Sequence, residues 1–306
     1  MFRMPSSLFS LTTCKLAAGV AGRRRTLALL LPLLLGGSLA QAQTELTGLD
    51  KIQASGTLKV AVYKDNAPFS DGPAEAMKGL DIELATALAR QMKLKLTLLP
   101  FDAGERMNDD LRNMVWRGHY LGYGPADVML HVPVDKYLIN ENRQALIFAP
   151  YMRQVQVLLR DTNAIPEAIK TPEDLKGYKL AAERGTGNAG ALMGHQSGEL
   201  VSQVSLYNSG VEAAQAVLDG KVAAAYVMRS QAENVLAQTP PESRHWAMSA
   251  LPLTGLPLNG WPLGMAIKSS ASKDLGQALE KALQALRDSG ELLAIFKHNG
   301  MTLTAP

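Results

Sequence analysis

Residues 58–99, LKVAVYKDNAPFSDGPAEAMKGLDIELATALARQMKLKLTLL, read as strand, loop, helix and strand. Leu58-Lys59-Val60-Ala61-Val62 has the apolar alternation of a strand, and Pro68 keeps the loop Asp65-Asn66-Ala67-Pro68-Phe69 out of a helix. From Asp81 onward, Leu84, Ala85, Leu88, Ala89 and Met92 recur at helical spacing, with Asp81 the expected N-cap. Leu94 to Leu99 is then a second strand. A βαβ unit of this kind belongs in a parallel sheet covered by helices, so the expected class is α/β.

Working outward, Met107 to Arg117 reads as a helix and Ala126 to Leu130 as a short buried strand. A similar order recurs later. Tyr178 to Ala182 is a strand running into Gly185-Thr186-Gly187-Asn188, Ser209 caps a helix carrying Val211, Ala214 and Val217, and Val222 to Val227 is a strand. Each half therefore repeats strand, helix, strand, helix, strand. Both sheets would present loops at the carboxyl ends of their strands, where open α/β sheets bind ligands. The chain closes in a helix with Leu275, Ala278, Leu279, Ala282, Leu283 and Leu286 at helical spacing.

At 306 residues, 47% hydrophobic and 19% charged, the chain has apolar content for a packed core and too little charge bias for disorder. Its length exceeds what one core comfortably supports, so two domains are expected. Residues 1–42 contain no acidic residue, carry Arg3, Lys15, Arg23, Arg24 and Arg25, and run apolar from Leu27 to Leu35 before Ala40-Gln41-Ala42. That pattern is a secretory signal peptide cleaved after Ala42, which places the mature chain in the periplasm. Taking five basic residues from 31 leaves 26 against 28 acidic, a formal charge of −2, so the apparent basicity belongs to the leader. A nucleic-acid partner loses its electrostatic basis. Cys14 is removed as well, leaving no disulfide, thiolate nucleophile or Cys-ligated metal.

Several phrases, in order, resemble the periplasmic solute-binding proteins of the polar-amino-acid-binding type that serve ABC transporters. They are VYKDNAPFS, GLDIELATALARQM, DLRNMVWRG leading to ADVML, ENRQALIFAPYM with VQVLLRD, TPEDLKGYKLAAERGTGNAG, VLDGKVAAAYV and ALQALRDSGELLAIFKHNG, covering essentially all of 55–302. The resemblance implies a two-lobe fold of type II, each lobe an open, mostly parallel sheet flanked by helices. Lobe 1 would comprise 43–152 plus 259–306 and lobe 2 would comprise 153–258, closing on a small-molecule ligand and docking on an inner-membrane permease.

The same resemblance places ligand contacts. Arg143 falls on the family's carboxylate-gripping arginine, a role suited to a planar fork that makes two parallel charge-assisted hydrogen bonds. In the second lobe the contact falls on Thr186, Gly187 and Asn188, a hydroxyl and a helix N-terminus that favours anions. Where the family pairs a ligand α-ammonium with carboxylates, this chain has Met228 and, in the first loop, Tyr63. Burying an ammonium without a counter-charge is costly, so the expected ligand is an organic acid or an amino-acid derivative. Asn66 and Phe69 follow the first strand and His131 follows the third, so these residues too are expected to line the cleft, with Tyr151 and Trp261 at the two crossings.

Two alternatives stand beside this reading. ADVMLHVPVD is similar to a branch of the fold that accompanies periplasmic quinoprotein alcohol dehydrogenases, which would make such a dehydrogenase the partner. Some dehydratases share the fold and use a cleft carboxylate as general acid, which would single out Glu105 and Glu183. His119, His131, His195, His245 and His298 are scattered without ligand spacing, and no G-x-S-x-G elbow occurs. No metal, cofactor or catalytic residue is expected.

Overall fold

The computed structural model describes residues 48–240, 245–257 and 259–306, so the expected signal peptide lies outside the described residues. Among the described residues no helix is long and apolar enough to cross a membrane. In chain order the first part runs α1 (Gly48–Ser55), β1 (Thr57–Tyr63), α2 (Leu80–Gln91), β2 (Lys95–Phe101), α3 (Met107–Leu111), β3 (Val128–Pro133), α4 (Lys136–Glu141) and β4 (Ala145–Gln154). The middle runs β5 (Gln156–Asp161), β6 (Leu180–Glu183), α5 (Gly187–Gly194), β7 (Val204–Tyr207), α6 (Gly210–Leu218), β8 (Ala224–Met228), α7 (Arg229–Ala237) and β9 (Trp246–Ser249). The chain ends with β10 (Trp261–Lys268), α8 (Gln277–Asp288) and α9 (Glu291–His298).

Among the described residues ten strands form two five-stranded sheets, ordered β2-β1-β3-β10-β4 and β7-β6-β8-β5-β9. β1 pairs in parallel with β2 and β3, and β6 pairs in parallel with β7 and β8. β10 runs against β3 and β4, and β5 runs against β8 and β9, so each sheet has a single reversed strand. The chain leaves the first sheet after Gln154, enters the second at Gln156 and returns between Ser249 and Trp261.

Burial on both faces explains the composition of the central strands. Leu58, Val60 and Val62 of β1 pack with α2, α8 and α9, while Ala61 and Tyr63 face a separate cluster with Leu111, Met114 and Val115. The second sheet repeats this division, with Leu158 and Tyr226 on one face and Val157 and Val227 on the other. The 107–117 helix of the sequence reading divides into α3 and a π turn, Arg112–Trp116.

One local expectation is corrected. The N-cap of α2 is Gly79, and Asp81 makes no cap, being 1% exposed inside the lobe. The cause is helical spacing: Asp81 precedes Leu84 and Ala85 by three and four positions, which places it on the buried stripe.

Pairing registers fix where the strand ends lie. Gln156, beside the first crossing, pairs with Met228 at the carboxyl end of β8, and β6 runs parallel to β8. In the first sheet, Trp261 pairs with Gln154 and Leu263 with Pro133, so the carboxyl ends of β3 and the parallel β1 lie on the crossing side as well. The loops after β1, β3, β6 and β8 therefore all open toward the junction of the lobes.

Candidate functional site

Around Gly264 the first sheet is irregular on both sides. β3 and β10 shift register between Gly264 and Ala266, and β10 and β4 shift between Leu263 and Met265. The extra residues take positive φ, His131 at 63° and Ala149 at 50°. Bulges of this kind re-aim side chains. Here they turn His131 of β3 and Tyr151 of β4 onto one buried carboxylate.

His131 Nδ1 lies 2.9 Å from Asp81 Oδ2, the Tyr151 hydroxyl donates to Asp81 Oδ1 at 2.9 Å, and the His131 amide donates to the Tyr151 oxygen at 3.0 Å. Phe69, 1% exposed, packs edgewise on the imidazole at 4.3 Å between centroids. Asn66 exchanges backbone hydrogen bonds with Ser70, closing the turn that holds Phe69 inward. With Nδ1 on Asp81, the imidazole keeps Nε2 for another partner, and among the described residues Nε2 has none. Burial, and then Asp81 beside it, raises the Tyr151 phenol well above its ordinary range, so it stays a donor.

A second carboxylate lies below the loop after β2. The Tyr63 hydroxyl donates to Asp110 Oδ2 at 2.8 Å and the Gly104 amide donates to Oδ1 at 2.8 Å. Burial pushes the Asp110 carboxyl up, against the pull of the Gly104 and Tyr63 donors. Tyr63 is thus engaged inside the lobe, 8% exposed, with its ring 4.6 Å from Phe101.

In the second lobe, Glu183 Oε2 accepts from the Gly210 amide at 2.9 Å and from Gln231 Nε2 at 3.0 Å, while Gln231 Oε1 accepts from the Met228 amide at 3.0 Å. This chain ties the ends of β6 and β8 to the start of α6. Thr186 caps α5, accepting from the Ala189 amide at 3.3 Å and donating to the Glu183 carbonyl at 2.8 Å. The Gly187 and Asn188 amides head α5, where no preceding helical carbonyl can receive them. They are the natural donors to an anion.

Tyr63, Asn66, Phe69 and His131 therefore come together at the crossing side of the first sheet, and Thr186, Gly187, Asn188 and Met228 gather at the crossing side of the second. Arg143 does not join them. It is exposed in the turn before β4, its carbonyl accepts from Ser269 Oγ at 2.7 Å, and the next strand residue, Ala145, pairs with Lys268 at the far end of β10. The ten residues of β4 span about 30 Å, which separates Arg143 from the crossing side. After α4 the chain re-enters the sheet at the end opposite the crossings.

Sequence reading missed Asp81 as the anchor of His131, Asp110 as the anchor of Tyr63, and Gln231. A signal existed for the two aspartates. Asp81 shares a helical stripe with Leu84, Ala85 and Leu88, and Asp110 shares one with Met107, Leu111 and Met114, and a carboxylate on an apolar stripe needs a buried partner.

No protein-family model matches the chain, and no curated protein matches it. Solved structures do. The ancestral cationic amino-acid solute-binding protein AncCDT-1 superposes with a TM-score of 0.63 at 22% identity over 83% of this chain and 100% of its own. An amino-acid ABC transporter substrate-binding protein from Streptococcus pneumoniae, bound to L-arginine, gives 0.58 at 19% identity over 85% of this chain and 100% of its own. The GluR0 ligand-binding core with L-glutamate gives 0.56 at 17% identity over 80% and 98%. The chain has the two-lobe α/β fold of solute-binding proteins, each lobe a mixed sheet flanked by helices.

Proposed function

We propose that the mature chain is a non-catalytic periplasmic solute-binding protein that closes its two lobes over a small carboxylate-bearing ligand and delivers it to an ABC permease. The observation that supports this most is the set of helix-start amides of α5, which donate to an anion, at the crossing side of the second lobe, with the oriented His131 imidazole at the crossing side of the first. His131 is held on Asp81 with Nε2 open in the first lobe, and the α5 amides behind Thr186 stand in the second. Closure brings contacts from both lobes to one ligand, and those contacts favour the closed state.

The ligand lacks a free α-ammonium. The two buried carboxylates among the described residues, Asp81 and Asp110, are each held by a tyrosine, and half-buried Glu183 already receives two donors. That engagement also argues against Glu183 as a general acid. The arginine and glutamate held by the structural neighbours fit the carboxylate half of this site and not an ammonium half.

The test is a thermal-shift panel on the mature protein, with keto acids and dicarboxylates on one side and free amino acids on the other. Stabilisation by the first group and none by the second is expected. Stabilisation by free α-amino acids alone would overturn the ligand class, and turnover of any bound acid would overturn the non-catalytic reading.

A further inference from the structure

Beside the crossings, away from the loops after β3 and β6, lies a groove of about 690 Å³ lined by Arg153, Gln156, Arg229, Ser249 and Asn259 among others. Arg153 comes from β4 of the first sheet, while Gln156, Arg229 and Ser249 belong to the second lobe and Asn259 to the returning crossing. Among the described residues that line the groove there is no carboxylate, and Glu233 stands behind it on Arg229. Arg229 Nε donates to Glu233 at 2.6 Å and Arg153 donates to the Asn259 carbonyl at 3.3 Å, which leaves each guanidinium with terminal nitrogens that have no partner among the described residues.

Two polar groups of the same groove lining are also incomplete. Gln156 is 7% exposed, yet its Nε2 has no hydrogen-bond partner, and neither has Ser249 Oγ. Buried donors without acceptors are rare in native proteins and call for an explanation. Here two guanidiniums line one groove, one of them already paired with Glu233, and an orphaned amide and an orphaned hydroxyl lie buried in its wall.

We propose that this groove is a second binding site, for the oxyanion group, carboxylate or phosphate, of a small molecule. The Arg153 and Arg229 forks would hold it, and a turn of the Gln156 side chain would add its Nε2 as a neutral donor. Because the arginines belong to different lobes, an anion between them bridges the hinge, and its affinity is coupled to the hinge angle. By reciprocity it also biases the affinity of the interlobe cleft. This site does not depend on the identity of the cleft ligand.

The experiment is calorimetric titration of the full mature chain with citrate and, separately, with inorganic phosphate, at constant ionic strength. Saturable binding of at least one anion is expected, weakened about tenfold or more in Arg153→Gln and in Arg229→Gln and unchanged in Lys78→Gln. Tighter citrate would mark a carboxylate ligand, and tighter phosphate a phosphate ligand. Gln156→Leu guards against misfolding in the arginine variants. It removes an amide donor that has no partner to lose, so it should weaken the anion without lowering the melting temperature of the anion-free protein. Absence of saturable binding by both anions, or equal affinity in wild type and in both arginine variants, would overturn the proposal.

Discussion

The Tyr151 hydroxyl donates to Asp81 Oδ1 at 2.9 Å across 70 residues of sequence, and its oxygen receives the His131 amide at 3.0 Å. One phenol thus couples the start of α2 to bulged β3 and β4. Tyr151→Phe would leave a buried carboxylate oxygen and a half-buried amide each short of a partner. The expected cost is about 1–3 kcal/mol in urea unfolding at neutral pH, and an unchanged midpoint would contradict the coupling.

Gly264 is what lets the two bulges meet. A Cβ there would press on the Phe148 carbonyl and lie 2.8 Å from Val134 Cγ2. Gly264→Ala should destabilise by about 1–3 kcal/mol through overpacking. It should also move the His131 ring resonances in NMR, because the register shift that aims the ring is disturbed. Native-like His131 shifts in this variant would break the link between bulge and site.

Asp110 sets an acid-side signature. Burial raises its carboxyl above the ordinary range, so the folded chain holds that proton more tightly than the unfolded chain does. The stabilisation is fully present below the unfolded value, roughly 3.9, and is lost as pH rises through the raised folded value. Measured by urea unfolding between about pH 4 and 7, the stability of wild type relative to Asp110→Asn should rise as pH falls. A difference independent of pH would mean that the carboxyl is not perturbed.

The lobes also touch through the C-terminal segment. Asn234 Nδ2 donates to the Asn299 carbonyl at 2.9 Å, and the Thr302 amide donates to Glu233 Oε2 at 2.7 Å. Between these contacts Gly300, at φ 69°, has room for no side chain, since a Cβ would lie 2.5 Å from Ala237 Cβ. Gly300→Ala should push α7 away from this segment and enlarge the radius of gyration seen by small-angle scattering. An unchanged radius with unchanged stability would show that the contact does not restrain the lobes.

Periodicity made β1, α2, β2 and the repeated strand-helix order legible, because alternation and helical stripes are local properties of the chain. The same stripes hold Asp81 and Asp110, but capping is the simpler sequence reading of an aspartate at a helix start such as Asp81. The Asp81, His131 and Tyr151 cluster was illegible as a unit, since it depends on two bulges flanking a glycine in a third strand. Arg143 failed for a related reason: a motif gives the order of residues, whereas the end of the sheet they reach depends on the length of α4 and the direction of β4. The helix start near Asn188 was readable because the residues that begin a helix are neighbours in sequence.

The most direct test of the account is native mass spectrometry of the protein purified without denaturant, compared with His131→Ala and Arg143→Ala. A small acidic adduct present on wild type and on Arg143→Ala, and missing from His131→Ala, is the expected result. An adduct that survives His131→Ala and disappears from Arg143→Ala would contradict it.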